Sequence, residues 1–185
     1  RKAYDLQLIK EINKFPCGDY NFIIFHGMGQ HQEYNKRFGK SDVRFTAGNY
    51  PSRHDLTVYE KQIIADYDNA TLYNDRVVKQ LCERFKNDDA VVVYLPDHGE
   101  EVFDRIHSYG RDHNADVSAD IAFSEFEVPF EIWFSPRAKK EHSDIYNAAR
   151  KAADKAFSTD DLPHLLMGIA GISSPLYDAR RDLLN

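Results

Sequence analysis

Residues 90–101 read AVVVYLPDHGEE, an apolar run that ends abruptly in charged residues and a glycine. Six apolar residues in succession, 90–95, are typical of a strand buried on both faces, as in a parallel sheet covered by helices. In open α/β sheets, ligands bind beyond the carboxyl ends of the strands. Asp97 and His98 offer an oxygen and a nitrogen that suit zinc, and Gly99 permits the turn that lets them converge. The stretch therefore predicts an α/β fold with a candidate zinc site at a strand end, with a simple polar turn as the alternative.

A second apolar run ends in the same way near the start of the chain. Residues 21–25 (NFIIF) are short, apolar and bounded by turn residues, which is typical of another buried strand. They are followed at once by HGMGQH, with His26 and His31 at its two ends. Two histidines and two glycines directly after a strand repeat the arrangement at Asp97 and His98. The recurrence favours a metal site more than either motif does alone.

Helical spacing dominates the sequence between these two runs. Apolar residues recur with a helical period over residues 55–85, and Asp55 is a plausible N-cap. The predicted strand–helix–strand unit, residues 21–95, has a right-handed crossover as its default connection. Residues 32–54 show no period and are predicted to be a loop, and a shorter amphipathic helix is predicted over residues 4–15.

After the central motif the pattern is weaker. Residues 101–124 are polar and irregular and contain His107 and His113, and long loops of this kind are often functional or disordered. We predict a strand at residues 127–135 and an amphipathic helix at residues 143–157. A last helix, residues 164–172, is predicted to follow an N-cap among residues 159–161 and a proline in its first turn, and residues 174–185 are predicted to form a surface tail.

Composition narrows the functional classes. At 185 residues and 42% hydrophobic, the chain is long enough for one domain or a large piece of one. The net charge of −6 argues against a general basic field for nucleic acid, so no nucleic-acid partner is expected. Two cysteines, Cys17 and Cys82, cannot make a disulfide framework, and no apolar run approaches the roughly 20 residues that span a bilayer. A first residue other than methionine, Arg1, leads us to expect a processed product or an excised fragment.

Taken in order, five motifs resemble the phosphoethanolamine transferases of the alkaline phosphatase and sulfatase superfamily. The motifs are HGMGQH at residues 26–31 with Tyr34, YDNATLYND at 67–75, YLPDHGE at 94–100, VPFEIWFS at 128–135 and DLPHLLMG at 161–168. Each motif is modest alone, but their order and spacing together are specific.

The resemblance implies a fold and a cellular place. The implied fold is an alkaline phosphatase-like three-layer sandwich with a mostly parallel central sheet, of which residues 1–185 would be the carboxyl-terminal part of the catalytic domain. The implied enzyme is anchored in the bacterial inner membrane with its catalytic domain in the periplasm. It would use zinc to transfer phosphoethanolamine from phosphatidylethanolamine to lipid A, to the lipopolysaccharide core or to a periplasmic glycan.

The resemblance also implies roles for individual residues. Asp97 and His98 match zinc ligands, and His31 matches a histidine that contacts a second zinc or the substrate phosphate, so His31 and His26 are predicted as catalytic residues. A further substrate-binding histidine of the family corresponds to either His113 or His107, of which we favour His113. Zinc lowers the pKa of a coordinated hydroxyl, so a threonine could attack phosphorus and form a phosphoenzyme.

None of the threonines in this chain stands in the context of the family's nucleophile. That threonine and another acidic zinc ligand are expected upstream of residue 1, so the isolated chain is expected to be inactive. It is also expected to expose a strand edge that favours self-association. Two alternatives remain: a degenerate sulfatase-like module that binds lipid headgroups or glycans without turnover, and an enzyme of the same superfamily that moves phosphoglycerol or sulfate.

Overall fold

Six α-helices and four short strands form among the residues that the computed structural model describes, which are 4–12, 14, 18–111 and 117–185. The helices are α1 (Asp5–Ile12), α2 (Val58–Phe85), α3 (Ala119–Phe126), α4 (Pro136–Glu141), α5 (Ser143–Lys151) and α6 (Leu162–Ile169). The strands are β1 (Val91–Tyr94), β2 (Glu101–Val102), β3 (Tyr109–Gly110) and β4 (Glu131–Phe134). None of these helices is long and apolar enough to cross a bilayer.

The chain divides into two units. The first comprises Arg1–Glu83 and Tyr94–Phe130, as far as these are described, and the second comprises Arg84–Val93 and Glu131–Asn185. The buried core of the first unit gathers side chains from α1, the loop before α2, α2 itself and β2. Its members are Ile9, Tyr34, Phe38, Leu56, Ile63, Ala70, Tyr73, Val77, Val102 and Phe103. Helix α2 supplies the inner wall of this core, as its apolar spacing predicts.

The N-terminus of α2 differs from the prediction. The prediction that Asp55 caps the helix was wrong, because Asp55 instead accepts hydrogen bonds from the Arg53 guanidinium. Thr57 stands directly before α2: its Oγ1 accepts from Glu60 N at 3.2 Å, and Glu60 Oε2 accepts from Thr57 N at 2.7 Å. This reciprocal pair is a capping box, which satisfies two backbone N–H groups at once.

The loop before α2 is held by a buried amide. Asn69 is 1% exposed, and its Oδ1 accepts from the backbone N–H groups of Arg44 (2.7 Å) and Phe45 (2.9 Å), while its Nδ2 donates to the Phe45 carbonyl at 2.9 Å. Short 3₁₀ turns make up much of the rest of the loop, which agrees with its lack of sequence period. Asn69 is therefore a structural residue, although it stands in a charged stretch.

The predicted strand in residues 90–95 is confirmed as β1, which pairs with β4. Its side chains are half-buried rather than fully buried. The strand predicted at residues 127–135 is shorter than expected and starts only at Glu131. In the second unit, the buried Ser135 joins the two strand ends, because its N–H donates to Ala90 O at 2.9 Å and its hydroxyl donates to Asp88 O at 2.7 Å.

The prediction of a strand in residues 21–25 was wrong. These residues are irregular, and Phe22, Ile23 and Ile24 are 73%, 45% and 78% exposed. A strand exists only when a neighbour pairs with its N–H and C=O groups, and no strand within the described ranges pairs with this segment. The strand–helix–strand unit therefore lacks its first strand, and the predicted mostly parallel central sheet stays a prediction.

Residues 101–124 are more ordered than predicted. β2 and β3 form an antiparallel hairpin in which Glu101 pairs with Gly110 and Val102 with Tyr109. Helix α3 follows, with Ser118 as its N-cap: the Ser118 hydroxyl accepts from Ile121 N. The polar side chains that make this stretch resemble a loop in sequence hold the hairpin together.

The helical part of the second unit was predicted in outline. The helix predicted at residues 143–157 is confirmed as α5, which starts at Ser143 as predicted but ends at Lys151, and a further helix, α4, precedes it and meets it at His142. α4 was missed because it is short, although Ser135 and Pro136 form an ordinary helix start. α6 is confirmed with its first-turn proline, but it ends at Ile169.

The tail after α6 is partly buried rather than wholly on the surface. Asp182 is 8% exposed and accepts from the Tyr177 hydroxyl at 2.7 Å, and Asp178 N donates to Nδ1 of the buried His164 at 3.0 Å. The prediction of a surface segment for residues 174–185 was therefore wrong for these side chains.

Candidate functional site

The strand-end motif places two candidate ligands side by side. His98 Nε2 lies 3.9 Å from Asp97 Oδ1, with side chains 31% and 88% exposed respectively. His98 Nδ1 lies 2.7 Å from the Gly99 carbonyl oxygen. Only an Nδ1–H group can donate to a carbonyl, so this contact fixes the tautomer and leaves the Nε2 lone pair free on the side of Asp97. A backbone carbonyl that orients an imidazole in this way is a common feature of metal-binding histidines.

Asp97 and His98 fit two ligands of a zinc ion. With zinc–ligand distances of about 2.0 Å, two neighbouring ligands of a tetrahedral site lie about 3.3 Å apart. The observed 3.9 Å is close enough for small side-chain rotations to close the gap. No group of three metal-binding side chains occurs in the part of the chain that the structure describes.

Asp5 in α1 shapes the glycine–histidine loop. Its Oδ2 accepts from the backbone N–H groups of Met28 and Gly29, both at 2.9 Å, and the Asp5 side chain is buried. Gly29 has φ +48°, the left-handed region that favours glycine. The loop closes with His31 N donating to Met28 O at 3.0 Å. Sequence analysis missed Asp5, because an acidic residue in the first turn of a helix is ordinary.

Glu100 connects the two motifs. Burial raises the pKa of the Glu100 carboxyl, and the Tyr34 hydroxyl and the imidazoles of His98 and His31 act in the opposite direction. The carboxyl is therefore within electrostatic reach of one histidine from each motif. The Tyr34 hydroxyl is buried and interacts with the Glu100 carboxyl, and the Tyr34 ring packs edge-on against Tyr67 with ring centroids 5.2 Å apart.

Gly99 brings the motif against α3. Gly99 N donates to Glu125 O at 2.7 Å, and a β-carbon at residue 99 would collide with the Ser124 carbonyl oxygen. Glycine was predicted here to permit a turn, and the structure adds a second requirement, the close approach of two backbones.

Glu101 organises the hairpin beside the motif. It is 2% exposed, its Oε1 accepts from the N–H groups of Asp104 (2.5 Å) and Arg105 (2.8 Å), and its Oε2 accepts from the Ser124 hydroxyl at 2.5 Å. Burial alone would raise the pKa of Glu101, but these hydrogen bonds outweigh burial and lower it. Sequence analysis did not identify Glu101, since nothing in the sequence distinguishes a buried glutamate from a solvated one in a polar stretch.

Three acidic side chains act on the hydroxyl of Tyr67 in α2. The pKa of Tyr67 is raised to about 12, first by burial and then by the charges of Glu100, Asp104 and Asp68. Asp68 Oδ2 also accepts from the Tyr50 hydroxyl at 2.5 Å.

The remaining predicted histidines are less closely tied to the site. His26 is exposed, and its ring makes no hydrogen bond or ion pair with any described residue. His107 is 63% exposed in its side chain and pairs with Glu60 of the α2 capping box at 2.9 Å. His113 lies outside the described residues. The structure thus brings His98 and His31 within electrostatic reach of Glu100, sets Asp97 beside His98, and places His107 at the start of α2.

Known proteins resemble this chain along its whole length. Phosphoethanolamine transferase EptC from Escherichia coli is 31% identical over 100% of this chain and 32% of its own length. Kdo(2)-lipid A phosphoethanolamine 7''-transferase from Salmonella typhimurium is 26% identical over 92% of this chain and 30% of its own length. The chain therefore spans about a third of the length of these relatives.

A solved structure shows the same fold. It is a crystal structure of the C-terminal periplasmic domain of EcEptC from Escherichia coli in complex with Zn, and it matches 100% of this chain and 51% of its own chain with a TM-score of 0.84 and 30% identity. An alkaline phosphatase-like, sulfatase-type α/β fold is thereby supported.

A family model provides the remaining evidence. The model described as Sulfatase matches residues 1–172, which is most of the chain. This match, together with the resemblance of the whole chain to part of phosphoethanolamine transferase EptC, shows that the chain belongs to the sulfatase family.

Proposed function

We propose that residues 1–185 are the carboxyl-terminal part of the catalytic domain of a zinc-dependent phosphoethanolamine transferase. The observation that carries the proposal is the pair of Asp97 and His98, whose Oδ1 and Nε2 lie 3.9 Å apart with the imidazole oriented by a backbone carbonyl. The relatives support the reaction class, because their names are those of phosphoethanolamine transferases, and the related crystal structure from Escherichia coli is a complex with Zn.

Asp97 and His98 are the proposed zinc ligands. Zinc held there would lower the pKa of a coordinated hydroxyl and offset negative charge on a phosphoryl group. His31 and His26 are proposed to contact phosphoryl oxygens or to protonate the leaving group, and His31 is the better placed of the two because it lies within reach of Glu100.

Substrate binding is assigned to the polar stretch after the motif. We keep His113 and His107 as the two candidates for one substrate-binding histidine. The exposed ring of His107 is paired with Glu60, so it would have to leave that carboxylate to reach a substrate.

The nucleophile is proposed to be a threonine that this chain does not contain. Two of the described threonines serve structure: Thr57 caps α2, and the Thr71 hydroxyl donates to the Tyr67 carbonyl within the helix. The donor is proposed to be phosphatidylethanolamine and the acceptor lipid A, the lipopolysaccharide core or a periplasmic glycan, at the bacterial inner membrane with the catalytic domain in the periplasm. By itself the chain should not transfer phosphoethanolamine.

Zinc uptake tests the metal site directly. The chain is expected to bind zinc weakly at neutral pH, and Asp97→Asn and His98→Ala should each reduce the affinity by roughly tenfold or more, because each removes one of two ligands. Asp75→Asn and His54→Ala are matched controls on exposed residues and should bind zinc as the unsubstituted chain does. Equal zinc affinity in the unsubstituted chain and all of these variants would contradict the assignment of Asp97 and His98.

Transfer itself requires the longer protein. In membranes that contain the full-length enzyme, Asp97→Asn and His98→Ala should each abolish transfer of labelled phosphoethanolamine from phosphatidylethanolamine to lipid A. The control substitution Asp75→Asn should leave transfer unchanged. Transfer by the isolated 185-residue chain would show that the nucleophile lies within it and would overturn that part of the proposal.

A further inference from the structure

The turn that carries His31 is held by one carboxylate of α1. Asp5 is 9% exposed, and its Oδ2 accepts from the backbone N–H groups of Met28 and Gly29, both at 2.9 Å. A β-carbon at Gly27 would lie 3.1 Å from the same oxygen. The backbone of these three glycine–histidine loop residues therefore surrounds a single oxygen atom, and its place depends on where that atom lies.

The position of His31 follows from this contact through the turn itself. His31 N donates to Met28 O at 3.0 Å, which closes a four-residue turn, and Gly29 within the turn has φ +48°. The N–H of Met28 is thus bound to Asp5, and its carbonyl oxygen is bound to His31. A displacement of the Asp5 carboxylate therefore displaces Met28 and, with it, the backbone of His31.

The other contacts of the loop are weaker. Phe25 packs against the core of the first unit, but residues 21–24 before it are exposed and pair with no strand of the described chain. Within the turn, Gln30 Nε2 donates to Thr71 Oγ1 of α2 at 3.3 Å in an exposed place. That hydrogen bond joins two neutral groups, whereas bonds to an ionised acceptor are roughly twice as strong. Among these contacts, the one with Asp5 holds the turn most firmly.

The Asp5 carboxylate also has partners that are unusual for its place in α1. An acidic residue in the first turn of a helix ordinarily interacts with the N–H groups and the dipole of its own helix. The Asp5 hydrogen bonds instead reach Met28 and Gly29, which belong to another segment of the chain. No lysine or arginine of the described ranges pairs with Asp5, so these two N–H groups compensate its buried charge.

We infer that Asp5 is a positioning residue that sets the place of His31. The inference rests on the proposed function for what His31 does, and it adds the residue that fixes where His31 lies. A histidine that binds phosphoryl oxygens or protonates a leaving group must come within hydrogen-bond reach of it, about 2.6–3.2 Å between heavy atoms. Asp5 acts on that distance only through the backbone of the turn.

Two substitutions separate this role from that of a charge at a helix end. Asp5→Asn keeps an oxygen at the same distance from the α1 backbone and removes the charge. Asp5→Glu keeps the charge and moves the carboxylate outward by one methylene group. If Asp5 positions the turn, the loop should stay closer to its original place in Asp5→Asn than in Asp5→Glu. A charge that served α1 alone would give the reverse order, because glutamate interacts with the helix dipole as aspartate does.

NMR spectra of the isotope-labelled chain measure the order without zinc or turnover. The amide signals of Met28 and Gly29 and the ring signals of His31 should shift more in Asp5→Glu than in Asp5→Asn. Exchange of the two amide hydrogens with solvent should become roughly tenfold faster in Asp5→Glu, the effect of losing a hydrogen bond to a charged acceptor. Unchanged signals in Asp5→Glu, or shifts in Asp5→Asn at least as large as those in Asp5→Glu, would overturn the inference.

Asp144 supplies the matched control. It is an exposed aspartate in the first turn of α5. Neither Asp144→Asn nor Asp144→Glu should move the signals of Met28, Gly29 or His31. If they move these signals as far as the Asp5 substitutions do, the effect is not specific to the contact with the loop, and the inference fails.

Transfer by the full-length enzyme gives a second readout. The kcat should fall by roughly tenfold or more in Asp5→Glu and by less in Asp5→Asn, because a small displacement of a catalytic group lowers the rate steeply. The KM for phosphatidylethanolamine should change less than kcat. An unchanged kcat in Asp5→Glu would overturn the inference. If the NMR signals respond as expected but the unsubstituted full-length enzyme shows no transfer, the proposed function fails while the placement of His31 by Asp5 stands.

Discussion

The Gly99 backbone passes so close to the end of α3 that a β-carbon there would run into the Ser124 carbonyl oxygen and would lie 3.4 Å from the Glu125 carbonyl carbon. Both atoms belong to backbone, so neither can swing aside as a flexible side chain would. The Gly99 N–H is also committed to Glu125 O. The position of the Asp97–His98 pair thus depends on the absence of a single methyl group.

Replacing Gly99 by alanine should therefore destabilise the chain. We expect a cost of about 1–3 kcal/mol, the usual range for adding a methyl group where there is no room for it. Thermal unfolding of Gly99→Ala, read against Gly48→Ala, measures the effect. A β-carbon at Gly48 would make only an ordinary contact, 3.7 Å from Thr46 Oγ1, so that variant should unfold close to the temperature of the unsubstituted chain. Equal melting temperatures for Gly99→Ala and Gly48→Ala would show that the end of α3 can move away from residue 99.

At the residue scale, sequence reasoning singled out polar residues that directly follow an apolar run and missed two buried carboxylates. Asp97 and His98 stand out because they end a strand, which periodicity can find. Asp5 and Glu101 each accept hydrogen bonds from at least two backbone N–H groups, yet nothing in the sequence around them distinguishes them from solvated carboxylates. What distinguishes them is burial, and burial depends on tertiary contacts that one sequence does not display.

At the scale of elements, the β2–β3 hairpin is closed by a carboxylate as well as by strand pairing. The Glu101 side chain gathers backbone N–H groups from the hairpin loop on one oxygen and the Ser124 hydroxyl of α3 on the other. The loop also contains Phe103 at φ +61°, an unfavourable conformation for a residue with a side chain. Hydrogen bonds to Glu101 stabilise that conformation.

Glu101→Gln should destabilise the chain by about 1–3 kcal/mol near neutral pH, since charge-assisted hydrogen bonds to a buried acceptor become neutral ones. The folded state lowers the pKa of Glu101, so its contribution is fully present above the unfolded value of about 4.3 and is lost as the pH falls through the folded value. Urea unfolding measures the free energy of unfolding of the unsubstituted chain and of Glu101→Gln. The difference between the two should be smaller near pH 3.5 than near pH 7.

The exposed Glu127 supplies the control for this comparison. Glu127→Gln removes a carboxylate of the same kind from a solvated position, and it should change the free energy of unfolding by less than about 0.5 kcal/mol. If the loss of unfolding free energy caused by Glu101→Gln is the same at neutral pH and in acid, ionisation of Glu101 does not stabilise the hairpin.

Helices and strands were predicted well where a hydrophobic period extends over many residues. They were predicted poorly where pairing with a neighbouring strand decides whether the element forms. α2 carries apolar spacing over 28 residues, and no competing structure satisfies that pattern. Residues 21–25 have the composition of a strand, but a strand also needs a neighbour, and the composition of so short a segment says nothing about whether one is present. The hairpin was missed for the opposite reason, because its two-residue strands are too short to show alternation.

At the scale of the whole molecule, apolar surface is unevenly distributed. Tyr20, Phe22 and Ile24 are 97%, 73% and 78% exposed, and they alternate along one short segment. Single exposed apolar residues are normal, but three in alternation resemble the face of a strand that lacks its sheet. With a net charge of only −6 over 185 residues, long-range repulsion between copies is modest at physiological salt.

Because burying that face removes apolar area from water, we predict that the isolated chain associates with itself through residues 20–24. Sedimentation velocity over a wide concentration range should show a mass that rises with concentration. Phe22→Lys and Ile24→Lys should each weaken association by roughly tenfold to a hundredfold, since burying one such side chain is worth about 1.5–3 kcal/mol. Leu176→Lys, at an exposed leucine (81%) in the second unit, is the matched control and should leave association unchanged. A monomer mass at every concentration would show that these side chains stay in water, and association that survives both lysine substitutions would place the contact elsewhere on the chain.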